Sequence, residues 1–217
     1  MSIPASGAPP LDCPLCPRLA DYRQANQGAH HDWFNAPVPS FGHLDAPLLI
    51  VGLAPGVRGA NRTGRPFTGD YAGELLYRTL LRFGLAEGRY LAAADDGLTL
   101  IGCRITNSVR CVPPGNLPTQ AEVSTCNSFL AAEIAAMPRL RGVLALGGTA
   151  HNAVLRVHAI RPARAPFRHG AVHPLAEGRI LADSYHVSRL NTNTGRLTEA
   201  MFQSVVQDLL ARLRSPD

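Results

Sequence analysis

The chain contains no lysine: all 21 of its basic residues are arginine, against 16 acidic residues, for a net charge of +5. A GC-rich coding bias accounts for the missing lysine. It does not account for the excess of cations over anions, which points to a polyanionic partner. Charged residues are scarce at 17% and hydrophobic ones reach 46%, so the composition is not that of a disordered chain. Long apolar runs are absent too, and none approaches the length that spans a bilayer. The opening residues, "MSIPASGAPPLDCPLC", have neither a basic n-region nor an apolar core, which argues against a secretory leader. The expectation is a cytoplasmic protein with reduced thiols and no membrane partner. Neither G-x-x-x-x-G-K-[ST] nor G-x-G-x-x-G occurs, so the P-loop and dinucleotide fingerprints are excluded. No internal repeat or low-complexity tract is present.

A length of 217 residues fits one domain, with residues 1–46 forming a Pro-rich N-terminal wrap around a short helix near Leu19. Four apolar strands are predicted, at 48–53, 98–109, 142–147 and 179–185. Helices are predicted over 71–85, 119–137, 149–158 and 197–213, with Thr119 and Glu122 forming a capping box and Thr198 or a neighbour capping the last. Strands alternating with helices imply a three-layer α/β/α sandwich around a four-stranded, mostly parallel sheet. Ligands of such sheets bind beyond the carboxyl ends of the strands. Three unusual polar segments follow strands here: "GLAPGVRGANRTGRPFTGD" (52–70), "TNSVRCVPPGN" (106–116) and "HVSRLNTNTG" (186–195). All three should share one rim.

The first segment packs five glycines, two prolines and three arginines into nineteen positions, more than a simple turn requires. It places Phe67 just ahead of Asp70, which directly precedes a helix. Taken singly, Asp70 reads as an N-cap and Phe67 as a core residue. Asn107, at a strand end, carries both donor and acceptor and suits an amide edge such as that of a pyrimidine; its plainer reading is a turn residue. His186 lies beyond the fourth strand, where a lone histidine is more often structural. Cys13 and Cys16 form a C-x2-C pair, with Cys111 and Cys126 further along; soft thiolates in this pattern suit zinc or an iron–sulfur cluster. The spacing leaves that choice open, and buried free thiols are the plain alternative.

Together these motifs resemble the family 5 uracil-DNA glycosylases, iron–sulfur members of the uracil-DNA glycosylase superfamily, from Cys13 to about Thr198. The resemblance implies excision of uracil, with hypoxanthine or xanthine in some members, by a monomeric enzyme acting on DNA. It implies a 4Fe–4S cluster on Cys13, Cys16, Cys111 and Cys126, and leaves Cys103 to the core. Catalysis falls to Asp70, Asn107 and His186, and base binding to Gly52, Ala54, Phe67 and Asn107. Arg58, Arg62, Arg65, Ser188, Arg189 and Leu190 are assigned to DNA, Leu190 as the wedge that enters the vacated stack. Stacking on Phe67 is worth ~1–3 kcal/mol, against the few kcal/mol that flipping a base costs. Related family 4 enzymes carry an acidic residue where this chain has Leu53, so Asp70 is the carboxylate the loop offers. Val187 stands where the usual pattern has Pro, which leaves that loop without proline's fixed φ. The competing classes are a non-catalytic, metal-stabilised DNA-binding module and a hydrolase of free nucleosides.

Overall fold

The computed structural model describes residues 8–214. Helix α1 (Pro17–Ala29) opens the chain, its start set by Pro17, whose missing N–H and fixed φ suit a first helical turn. The wrap then leads to β1 (Leu48–Gly52). The central sheet also holds β4 (Cys103–Asn107), β5 (Gly142–Leu146), β7 (Ile180–Ser184) and the short β6 (Val172–Pro174), in the order β4-β1-β5-β7-β6. The four expected strands are present and mutually parallel. The sheet nevertheless has five strands, because β6 pairs antiparallel with β7 at the edge. Three residues ending in proline are too short to show strand alternation, and proline is tolerated at an edge.

The expected strand 98–109 is divided. Gly102 takes φ +64°, a left-handed conformation open to glycine without a Cβ penalty, and the chain turns there. Upstream of it, Thr99–Leu100 (β3) pairs instead with Ala86–Glu87 (β2) in a separate antiparallel ribbon.

Strand periodicity explains the layers. Leu48 and Ile50 pack with Ile105 and Leu144 under helices α3 (Tyr71–Arg82) and α7 (Glu199–Arg214), through Leu76, Leu80, Phe202 and Val206. Leu49 and Val51 face the other way, against α4 (Gln120–Ala135) and α5 (Gly148–Val157), through Phe129, Leu130 and Val154. With both faces covered, the strand must be apolar throughout, and each such side chain contributes roughly 1.5–3 kcal/mol of burial. The caps form as the sequence suggests. Thr119 and Glu122 make the reciprocal capping box of α4, and Thr198 Oγ1 accepts from the Met201 N–H at 3.2 Å.

The wrap is bound to the sandwich by polar contacts. Arg18 of α1 pairs with the capping-box Glu122 at 2.8 Å, and Phe41 bridges to Ile105 of β4. Fully buried Glu133 accepts from Arg104 and Arg110, and Arg110 also donates to Ser40 Oγ at 2.7 Å. Burial alone would push the Glu133 carboxyl up, but the two guanidinium groups hold it below its ordinary value. Among the described residues, no helix is long and apolar enough to cross a membrane.

Candidate functional site

The first two polar segments leave the sheet side by side. Gly52 ends β1 opposite Asn107, the last residue of β4. Beyond them the pairing continues, since the Ser108 N–H and Oγ both donate to Gly52 O at 2.9 Å and the Val109 N–H donates to Leu53 O at 3.0 Å. Gly52 has no room for a side chain: a Cβ there would lie 2.4 Å from Asn107 Oδ1 and 2.5 Å from Phe67 Cζ. Asn107 is 3% exposed, and its buried Oδ1 has no hydrogen-bond partner among the described residues. Leaving such an acceptor unsatisfied costs about 1–3 kcal/mol, so a ligand N–H presented here would be bound strongly. Ala54, half-buried, packs beside the α4 layer of the core.

Phe67 is fixed in a conformation it does not favour. Its φ of +53° lies in the left-handed region, at a cost of roughly 1–2 kcal/mol for a side chain with a Cβ. Neighbouring groups hold it there. Tyr77 Oη donates to Pro66 O at 2.6 Å, and Tyr90 Oη to Phe67 O at 3.2 Å. Gly73 lets α3 pass close enough that a Cβ would stand 1.9 Å from Phe67 O. Burial pushes the Tyr90 phenol up to about 12, which keeps it a neutral donor.

Arg65 belongs to this brace, and its assignment to the DNA surface is corrected. The residue is 5% exposed, and its guanidinium makes a two-point pair with Asp96, both contacts 2.8 Å. It lies 5.2 Å from the Phe41 ring centroid and 5.4 Å from that of Tyr77, and Nε donates to Thr68 Oγ1 at 2.8 Å. Buried and paired with a carboxylate, this guanidinium is out of reach of a DNA phosphate. Sequence spacing gave no hint of this, because Asp96 sits thirty-one residues away in a loop of ordinary turn composition.

His186 completes the cluster from the third segment, with its ring centroid 6.1 Å from that of Phe67. Burial pushes its imidazole down to about 4, so the ring is neutral at pH 7 and any hydrogen bond it donates there is uncharged. Val187 is fully buried in the α3–α7 layer of the core, so the residue in the proline position is anchored by packing. Ser188 caps the short helix α6 (Arg189–Asn193), and Asn191 Nδ2 donates to His186 O at 2.8 Å. Leu190 is 72% exposed. Arg189 is exposed and stands 5.2 Å over the Tyr71 ring, which brings α6 against the start of α3.

Asp70 is the N-cap of α3, its Oδ1 accepting from the Ala72 N–H at 3.1 Å. Its Oδ2 fills the notch left by two glycines: a Cβ on Gly59 would lie 2.2 Å from it, and one on Gly56 2.8 Å. Burial raises its pKa, opposed by the backbone N–H groups of Ala72 and Gly73. Arg58 and Arg62 are exposed beside it, linked by a 3.0 Å bond from Arg62 Nε to Arg58 O.

Comparison with known proteins gives this arrangement its setting. Residues 39–210 match the family model described as the uracil DNA glycosylase superfamily. The chain belongs to that superfamily. A relative from Thermus thermophilus named type-5 uracil-DNA glycosylase is 45% identical over 201 residues, covering 90% of this chain and 91% of the relative. One of the same name from Mycobacterium leprae is 45% identical over 215 residues, covering 95% and 94%. A third, from Pyrobaculum aerophilum, is 42% identical and covers 91% and 87%.

Two further features of this superfamily member lie behind the rim. Cys13, Cys16, Cys111 and Cys126 line one apolar cavity with Leu15, Leu19, Val109 and Phe129. Burial pushes the Cys16 thiol up to about 11 and that of Cys111 up to about 12. Buried Arg23 donates to Cys111 Sγ at 3.3 Å and to Cys13 O at 3.1 Å. Cys103 is a core residue as expected, its Sγ donating to Leu85 O at 3.2 Å.

The second feature is a buried network that the sequence reading missed. Asp183, in β7, accepts from His151 Nδ1 at 2.7 Å and His173 Nε2 at 3.1 Å. These three side chains have ligand atoms close enough to approach one cation, but His151 Nε2 already faces Ala165 O at 2.8 Å. The network therefore reads as a brace between α5, β6 and the strand end that carries His186. Its partners lie ten and thirty-two residues from Asp183, in segments without a shared motif.

Proposed function

We propose that the chain is a monofunctional DNA glycosylase that hydrolyses the N-glycosidic bond of deoxyuridine in DNA and leaves an abasic site. The observation that carries this reading is the buried, unpartnered Oδ1 of Asn107 beside Phe67 and a neutral His186, in a member of this superfamily. Uracil presents an N–H flanked by carbonyl oxygens, and that N–H matches the orphan acceptor. Cytosine presents a ring-nitrogen acceptor at the same edge and leaves Oδ1 unpaired, a mismatch of buried polar groups that gives strong discrimination. Hypoxanthine and xanthine share uracil's N–H beside a carbonyl, so the same acceptor admits them where the pocket has room.

In the reaction, the bond from the base nitrogen to the sugar C1′ breaks and its electron pair leaves with the base. His186 donates a hydrogen bond to the base carbonyl oxygen as negative charge develops there. Asp70 sets a negative charge against the cationic sugar. Water adds to C1′ and its released proton goes to solvent, while the base anion is protonated on departure. The test is incubation with duplex and single-stranded oligonucleotides bearing one uracil, hypoxanthine or xanthine, followed by alkaline cleavage. Uracil substrates are expected to be cut most efficiently, and Leu190→Ala to lose more on duplex than on single strands. Intact oligonucleotides after binding would replace this reading with that of a non-catalytic DNA-binding module.

The four cysteines support a 4Fe–4S cluster held by Cys13, Cys16, Cys111 and Cys126. A tetrahedral zinc with bonds of about 2.3 Å draws its sulfurs to within roughly 4 Å of one another. Four thiolates around one apolar cavity suit a cubane as well as a zinc, and the resemblance to the iron–sulfur glycosylases favours the cubane. Bound there, the cluster would supply a rigid tie between the wrap and the loop after β4, and Arg23 would donate to one of its thiolates. Protein purified without oxygen is expected to be brown, with about four iron atoms per chain. Stoichiometric zinc without iron would refute the cluster. Reduced thiolate ligands also favour a cytoplasmic setting.

A further inference from the structure

Residues 30–34, "HHDWF", take no part in the site described above, yet they carry an unusual surface. The His30 and Trp33 rings stack with centroids 3.8 Å apart and planes 10° from parallel. Phe34 is exposed beside them. The segment is held in place rather than loose. The Trp33 N–H donates to His30 O at 3.1 Å, the Phe34 N–H to Arg62 O at 3.0 Å and the Asn35 N–H to Asn61 O at 3.0 Å. Buried Asn35 and Asn61 are joined side chain to side chain at 2.9 Å, and Asn35 Nδ2 donates to His30 O at 2.6 Å.

These contacts place the aromatic rings against the opening loop. Phe34 lies over Gly64, where a Cβ would stand 2.8 Å from its ring. Arg62 reaches the other way, with Nη2 2.9 Å from where a Cβ of Gly69 would lie, next to Asp70. Exposed Arg58 adjoins it through the backbone bond already described. Rigid aromatic faces, two exposed guanidinium groups and the Asp70 loop thus form one continuous strip, with Asp32 as the one carboxylate in residues 30–34. Flat rings stack on bases of any sequence, while flanking arginines neutralise phosphates. An acidic protein partner would use the arginines but leave the stacked rings without a matching plane.

We propose that residues 30–34, with Arg58 and Arg62, form a nucleotide-stacking platform that holds a base of the DNA strand outside the excision pocket. DNA as the ligand rests on the glycosylase reading, and the platform is separable from it by experiment. Trp33 is the only tryptophan in the chain, so its fluorescence reports on this surface alone. Wild-type protein would be titrated with a short thymidine oligonucleotide that contains no uracil, following Trp33 emission and, in parallel, the anisotropy of an end-labelled strand. Emission is expected to change and to saturate at the same concentration as anisotropy. Phe34→Ala, with its fold checked by circular dichroism, is expected to weaken binding roughly 5- to 150-fold, the range that loss of one base–aromatic stack implies.

Saturated anisotropy with unchanged Trp33 emission would overturn the platform, and it needs no variant. So would unaltered affinity in a folded Phe34→Ala protein, or no binding in either measurement. A Trp33 response from a protein that leaves uracil in place would overturn the glycosylase reading and leave the platform standing.

Discussion

Asp70→Asn is expected to lower single-turnover uracil excision by about 10²–10⁴-fold, the usual scale for a positioned acid–base group, while the protein stays as stable as the parent. Asparagine caps a helix about as well as aspartate, so the bond to the Ala72 N–H survives the change. What disappears is a negative charge that burial already disfavours. Unfolding by urea should therefore show an equal or slightly higher midpoint. The pH dependence has a defined sign. Because burial raises the Asp70 pKa, the active carboxylate forms at a higher pH than an ordinary aspartate's, and the rate should fall as pH drops through that raised value. The variant should lack this acidic limb. Near-parental excision by Asp70→Asn would reduce Asp70 to a cap and leave the chemistry to His186 and Asn107.

Asp96→Ala should be the most damaging single change to stability away from the core, at about 3–5 kcal/mol, because it strands the buried Arg65 guanidinium. Asp96 also accepts from the Leu91 and Leu98 N–H groups, at 2.9 and 3.1 Å, so its loss frees the loop between them as well. The Arg65 guanidinium holds the Asp96 carboxyl well below its usual range. A depressed carboxylate stabilises the fold above its unfolded pKa, so this contribution is present at neutral pH and fades on acidification below about 4. Urea midpoints at pH 7 and at pH 3 check both statements. The parent-to-variant gap should be wide at the first and narrower at the second. A gap below about 1 kcal/mol at pH 7 would mean that Arg65 finds water or another partner when Asp96 is gone.

The sequence reading succeeded where one local rule governs. The four parallel strands follow from uniformly apolar runs, and the caps at Asp70, Thr119 and Thr198 from residue type beside a periodic segment. The rim also assembles as expected, with Gly52, Phe67, Asn107 and His186 converging from three segments. The reading failed where a partner far along the chain decides the role. An arginine in a glycine-rich loop looks like a phosphate ligand until Asp96 is seen to fold over it. His151 and His173 carry no motif, and only the end of β7 shows that both serve Asp183. Strand β6 was too short to leave a pattern, and Gly102 read as a strand glycine rather than a break.

The attachment of the wrap has a consequence for how the protein is made. Arg18 must wait for Glu122, a partner 104 residues later, and Ser40 must wait for Arg110, 70 residues later. On the ribosome the first elements to emerge are thus among the last to find their places. Until α4 has been synthesised, the wrap has little to pack against and its cysteines stand open to water. Closing so long a loop is slow, since its entropy is lost before any contact repays it. Docking of the wrap therefore waits for α4, and until then the nascent chain carries the two thiols of the wrap, Cys13 and Cys16, unprotected.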